Sequence, residues 1–246
     1  MAEVYAPPPA NPSPGGLYSV AALTDAGDPS RLAQNVVVET WNCGTAWVWP
    51  IDCKADDPDP SPKGAEPRND WGSHEFTGDV IGADDNCSAL VPEEEAQGRA
   101  KQLLRLQEPV KVEQQLTSRL LAMAGTPTDV TGLVAAVGAL EEAVAEFGFT
   151  GVIHAAPHLA AALQNAQLVT KSGQYLLSPS GHRYAFGSGY ADLGETLVAT
   201  GPVAVHQGPI VFNHGPNYPT NQRLSVAERE VLVTWECWTT AVTIGA

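Results

Sequence analysis

Residues Gly151–Leu163 read GVIHAAPHLAAAL, and the folding of the surrounding chain follows from this run. Its first five residues are mostly apolar and of strand length, and Pro157 stands where a helix places its first residue, ahead of His158–Ala166. A strand therefore passes directly into a helix. Upstream, Leu133, Val137, Leu140, Val144 and Phe147 recur on one helical face, and Gly148 supplies the stop. Downstream, Gln174–Leu177 and His182–Phe186 are sheet-forming runs split by Ser178-Pro179-Ser180-Gly181, the chemistry of a hairpin turn. Further strands are expected at Thr196–Thr200, Val203–His206 and Pro209–Phe212, and a last one over Val231–Ile244. On that last strand Trp235 and Trp238 would point to opposite faces, so it reads as covered on both sides.

The upstream half begins its own long helix at Pro92-Glu93-Glu94-Glu95, where proline suits the first turn and three carboxylates meet the positive end of the helix dipole. Ala96, Ala100, Leu103 and Leu104 form an apolar stripe, and Val112, Leu116, Leu120 and Met123 form a second one. Between them Pro109 removes a backbone donor, which predicts a bend or break near Arg105. The segment Lys54–Asp70, KADDPDPSPKGAEPRND, reads as an exposed tip between Asn35–Asp52 and Trp71–Ala89. The first thirty residues, with Pro7, Pro8, Pro9, Pro12 and Pro14, read as an arm without a core of its own. Trp41, Trp47, Trp49 and Trp71 fall in the loop region, where a hairpin offers little core. Either a neighbouring subunit or this chain's own helices must cover them.

In order and pattern, the runs Gly151–Leu163, LVTKSGQYLLSPSGHRYAFGSGY (Leu168–Tyr190), LVATGPVAVHQGPI (Leu197–Ile210) and VLVTWECWTTAVTI (Val231–Ile244) resemble the tailed-bacteriophage major capsid protein family. Its fold is named after phage Hong Kong 97 and is shared by encapsulin shells. The resemblance covers about the last 155 residues. It implies an α+β capsid fold with an N-terminal arm at 1–34 and an extended β-hairpin loop at 35–89. It also implies a peripheral domain at 90–130 and 222–246, with a spine helix and a return strand, and a mixed axial domain at 131–221. The implied function is structural: copies of the chain assemble into hexamers and pentamers of an icosahedral head that encloses double-stranded DNA. Portal, scaffold or decoration proteins are candidate partners. Some family members cross-link lysine to asparagine, and Lys63 lies in the loop tip, but no acceptor or acid catalyst is assignable.

Composition bounds the reading independently. At 246 residues and 43 % apolar, the chain can bury a sizeable core. A net charge of −15, with only 13 lysines and arginines, argues against a nucleic-acid groove and against sequence-specific DNA binding. An acidic surface suits a container wall that must not adhere to packaged DNA, and it equally suits an ordinary soluble protein. No window reaches the roughly twenty apolar residues of a membrane span, and MAEVYAPPPA lacks signal-peptide features. These features point to a cytosolic chain, and the resemblance implies synthesis in the bacterial host cytoplasm and residence in the virion. Cys43, Cys53, Cys87 and Cys237 are then expected as reduced, buried thiols, with a Cys43–Cys53 disulfide as the alternative. Their spacing fits no common zinc site.

No residue is assigned a catalytic, cofactor-binding or metal-ligating role. His154 and His158 are four apart, but Pro157 intervenes and no H-E-x-x-H glutamate is present. Ser180 and Ser188 lie in glycine-rich turns that lack the G-x-S-x-G elbow, and Gly187-Ser188-Gly189 lacks the Gly-Lys-Ser/Thr of a phosphate loop. Glu141 and Glu142 are adjacent on a helix and read as a solvated face. The alternatives are an encapsulin-like cage, an accessory head or connector protein, and a small hydrolase built on Ser180.

Overall fold

The computed structural model describes residues 7, 8, 10–27, 31, 32, 34–44, 46 and 74–245, except for the side chains at 217 and 218. The loop tip at 54–70, with Lys63, and Cys53, Trp47, Trp49 and Trp71 lie outside the described residues. Three helices, α1 (Glu93–Ala124), α2 (Leu133–Ala145) and α3 (Leu159–Asn165), combine with two larger sheets and a small hairpin. The chain is α+β, as expected.

Helix α1 begins after Pro92 with Glu93, Glu94 and Glu95 in its first turn, as its sequence predicts. It runs unbroken for 32 residues with Pro109 inside it, so the expected break near Arg105 does not occur. Packing overrides the proline. The buried residues Ala96, Ala100, Leu104, Glu108, Val112, Leu116 and Leu120 recur strictly every four positions. Each step of four overshoots a full turn by about 40°, so the buried line winds around the helix. Successive stretches of α1 are therefore gripped from different sides, and tertiary contact, the main source of helix stability in proteins, outweighs the local cost of about 3 kcal/mol.

The five-stranded sheet has the order β1 (Ala22–Asp25), β11 (Val203–Gln207), β13 (Gln222–Trp235), β12 (Val211–Asn217), with β4 (Asp79–Ser88) also paired to β13. The small hairpin pairs β2 (Val36–Val38) with β3 (His74–Phe76). Among the described residues of the extended loop, only β2 and β3 pair with each other, while residues 79–88 line β13 in antiparallel register from Asp79↔Val231 to Ser88↔Gln222. The seven-stranded sheet contains β5 (Thr128–Thr131), β14 (Thr239–Gly245), β10 (Thr196–Thr200), β6 (Val152–His154), β9 (Arg183–Ala185), β8 (Tyr175–Leu177) and β7 (Thr170–Ser172), in that order.

Period-two alternation makes that sheet a partition between two cores. Val152, Ala185, Val198 and Ala241 face a core shared with α1 and the five-stranded sheet. Ile153, Tyr184, Phe186, Leu197, Ala199 and Val242 face the other, where α2 contributes Ala136, Val137, Leu140 and Val144 and α3 contributes Leu159 and Leu163. The decisive run behaves as read: β6 passes into α3, and β8 and β9 form the expected antiparallel pair.

Three expectations are corrected. Val231–Ile244 is not one strand; the chain turns at Glu236–Trp238, where Cys237 takes φ +74°, and β13 and β14 join different sheets. Trp235 accordingly serves the first core, while Trp238 packs against the second. The described N-terminal residues are no coreless arm, because Leu17 and Val20 are buried in the first core and β1 pairs parallel with β11. Their apolar side chains find a groove between α1 and the sheets. Cys43 and Cys237 form a disulfide with a Cα–Cα separation of 5.2 Å, in place of the expected free thiols at these two positions and of the Cys43–Cys53 alternative. Remote in sequence, the two cysteines meet because the hairpin base folds onto the β13–β14 turn.

Candidate functional site

The residues weighed for chemistry lie apart. His154 is fully buried, with Nδ1 2.9 Å from the Tyr190 hydroxyl and Nε2 3.1 Å from Thr200 Oγ1. Burial pushes its pKa down to about 3, so it is a neutral core histidine. His158 is exposed and meets Glu195 Oε1 at 3.0 Å. The two histidines do not share a site. The Ser180 backbone N–H donates to Glu141 Oε1 at 2.7 Å, and Ser178 Oγ donates to the same oxygen at 2.6 Å. Glu141 thus fastens α2 to the β8–β9 turn and is not merely a solvated residue. Among the described residues no group of three or more histidine, cysteine or acidic side chains could hold a metal. Among the described residues no helix is long and apolar enough to cross a membrane.

What the fold does build is a set of polar anchors that hold its extended segments. Glu108 and Glu113, only 1 % and 2 % exposed, interrupt the apolar face of α1. Glu108 takes a bidentate pair of hydrogen bonds from Arg229 on β13, both at 2.6 Å. It also accepts from the Tyr18 hydroxyl at 2.7 Å and from Gln207 Nε2 at 2.8 Å. One carboxylate therefore joins α1, the N-terminal segment, β11 and β13. Such a buried charge is tolerable only because it is paired and fully hydrogen-bonded.

Glu113 accepts the Leu17 N–H at 2.8 Å and the Gly189 N–H at 2.9 Å. Desolvation raises its pKa, and the two backbone donors partly offset that shift. A Cβ at Gly16 or Gly187 would overlap its carboxylate, and one at Gly189 would strike the Val110 carbonyl. The Gly187-Ser188-Gly189 turn is thus a cradle for a glutamate. Sequence reading missed both anchors. The available signal was a glutamate at a stripe position, four residues after Leu104 and four before Val112.

The hairpin base is secured by a different cluster at the β13–β14 turn. Glu236 accepts the Trp41 N–H at 3.2 Å and Asn42 Nδ2–H at 2.5 Å, and His74 Nε2 lies 3.4 Å from the Cys237 carbonyl. Phe76 meets the Trp235 ring edge-on at 5.0 Å between centroids, and the Arg119 guanidinium lies over the Phe76 ring, 6.0 Å from its centroid. Trp41, by contrast, is 72 % exposed. Of the four loop tryptophans it alone is described, and this chain leaves it uncovered.

No protein-family model matches the chain, and no curated protein matches its sequence. Solved structures do match its architecture. The capsid of an empty GTA particle is similar over 100 % of both chains, with a TM-score of 0.56 at 13 % identity. A chain of Mycobacterium phage Adephagia is similar over 100 % of this chain and 95 % of its own, with a TM-score of 0.55 at 14 % identity. A chain of the bacteriophage PhiM1 mature capsid is similar over 99 % of this chain and 90 % of its own, with a TM-score of 0.51 at 14 % identity. At that identity the likeness establishes architecture alone, and the architecture is the Hong Kong 97 capsid fold.

Proposed function

We propose that this chain is the repeating structural subunit of an icosahedral virion shell, which assembles with itself into hexamers and pentamers and encloses double-stranded DNA. The observation that carries the reading is the end-to-end similarity to the GTA capsid, with neither chain left uncovered. Exposed apolar side chains support it: Leu23, Val37, Trp41 and Val80 sit on or beside strands at the periphery, where symmetry-related copies can cover them. The work of such a protein is geometric. Buried carboxylates and the hairpin-base cluster hold the extended segments at fixed angles, and repeated contacts do the rest.

In this reading α1 and the five-stranded sheet form the peripheral domain, and α2, α3 and the seven-stranded sheet form the axial domain. Sheet membership then moves β11 and β12 to the peripheral side and β14 to the axial side, relative to a division by sequence alone. The extended loop, and not the N-terminal segment that this chain buries in its own core, is the exchange element. An enzymatic role has no support from the histidine and serine geometry above.

The test is sedimentation velocity and light scattering of the purified chain, followed by nuclease protection on particles from infected cells. The proposal expects species of tens to hundreds of subunits and protected duplex DNA. Shells that retain protein cargo and no DNA would move the reading to an encapsulin-like cage. A monomer at high concentration would move it to an accessory virion component.

A further inference from the structure

Three independent features converge on the turn between β13 and β14. The Cys43–Cys237 bond ties residues 194 positions apart. The neighbouring Glu236 carboxylate receives Trp41 and Asn42, and His74 approaches the Cys237 carbonyl, so both sides of the hairpin base are held there by polar contacts as well. Both sulfur-bearing residues are buried, and Cys237 is fixed in a left-handed turn conformation. These polar contacts are separate from the S–S bond and hold together the two segments that carry the cysteines. Such a pair is preorganised for oxidation, yet a bacterial cytoplasm keeps thiols reduced.

We propose that Cys43 and Cys237 form a post-assembly lock: they remain thiols while subunits assemble and are oxidised to the intrachain disulfide afterwards, clamping the hairpin base to the β13–β14 turn. This rests on the shell reading above. The oxidant is a small disulfide such as oxidised glutathione. One thiolate attacks it to give a mixed disulfide and one reduced glutathione; the second thiolate attacks the mixed disulfide and releases the other. The two cysteines together lose two electrons and two protons, which the oxidant takes up. Because both thiols are buried, attack requires brief opening of the hairpin base, which makes the step slow compared with folding.

The experiment compares wild type, Cys43→Ser and Cys237→Ser, with Cys87→Ser as control. Thiols are trapped with N-ethylmaleimide under denaturing conditions at cell harvest, so that burial does not shield them, and adducts are mapped by mass spectrometry before and after the particles meet oxidised glutathione. Particle disruption is followed by light scattering on heating. The expected result is adducts on both Cys43 and Cys237 at harvest, then a joined Cys43–Cys237 peptide and a disruption temperature raised by roughly 5–10 °C. The Cys43→Ser and Cys237→Ser variants should assemble normally under reducing conditions and show no rise, while Cys87→Ser should respond like wild type.

Protection of both thiols at harvest would overturn the timing, and failure to form the joined peptide would overturn the pairing. An equal temperature rise in Cys43→Ser would overturn the lock. Absence of particles in every variant, reduced or oxidised, would be a failure of the shell reading; the timing would fall with it, while the peptide map on the free chain would still read the pairing.

Discussion

At the scale of single residues, a few buried polar groups carry the most specific signatures. His154 has the clearest pH signature. Its folded pKa, about 3, lies below the ordinary value of 6.5, so the unfolded chain binds a proton that the folded chain refuses. The stabilisation is complete above pH 6.5 and is lost as pH falls towards 3. Urea unfolding at pH 7 and pH 5 should show a His154-dependent loss of at most about 1.4 kcal/mol per pH unit, absent in His154→Gln. Glu108→Ala leaves the Arg229 guanidinium without its bidentate partner and should cost about 3–5 kcal/mol by denaturant unfolding. Replacing Arg229 by methionine in the same chain should recover part of that loss. Neither role was legible in the sequence. A histidine in an apolar run and a glutamate on a helix stripe show their partners only when Tyr190, Thr200, Tyr18 and Gln207 arrive from elsewhere in the chain.

At the scale of elements, what could be read was local and periodic. The passage of β6 into α3, the face of α2 and the start of α1 all follow from spacing and capping within a dozen residues. The misreadings have long-range causes. Pro109 reads as a bend or break because its cost is local, whereas the contacts that keep α1 continuous through it come from both sheets. Pro109→Ala should restore a backbone donor towards the Arg105 carbonyl and stabilise the fold by about 1–3 kcal/mol in thermal unfolding. Val231–Ile244 reads as one strand because no glycine or proline interrupts its sheet-forming residues. The left-handed turn at Cys237 depends on the hairpin base that docks there, and its partner Cys43 lies 194 residues away in sequence. In oxidising buffer Cys237→Ser should lose about 2–5 kcal/mol relative to wild type, and the difference should vanish in excess reductant.

At the scale of the whole molecule, one sheet serves two cores and α1 is wrapped from several sides, so the subunit has its own interior before any neighbour arrives. In the proposed shell, association is then driven from what remains outside. Trp41→Ser should leave the unfolding free energy of the isolated subunit within about 0.5 kcal/mol of wild type, because the ring is exposed, yet it should reduce the yield of closed particles in light scattering. The order of elements was enough to suggest the capsid fold. The disposition of strands between the sheets was not, because β11, β12 and β14 choose partners across more than a hundred residues in some cases and by a simple turn in others.

The most direct test of the central claim is electron cryomicroscopy of the purified recombinant chain under assembly conditions. The shell account predicts closed icosahedral particles whose capsomers contain five and six copies of this fold, with Trp41 covered by a neighbouring subunit. A monodisperse monomer at high concentration, or an open oligomer that leaves Trp41 in solvent, would contradict it.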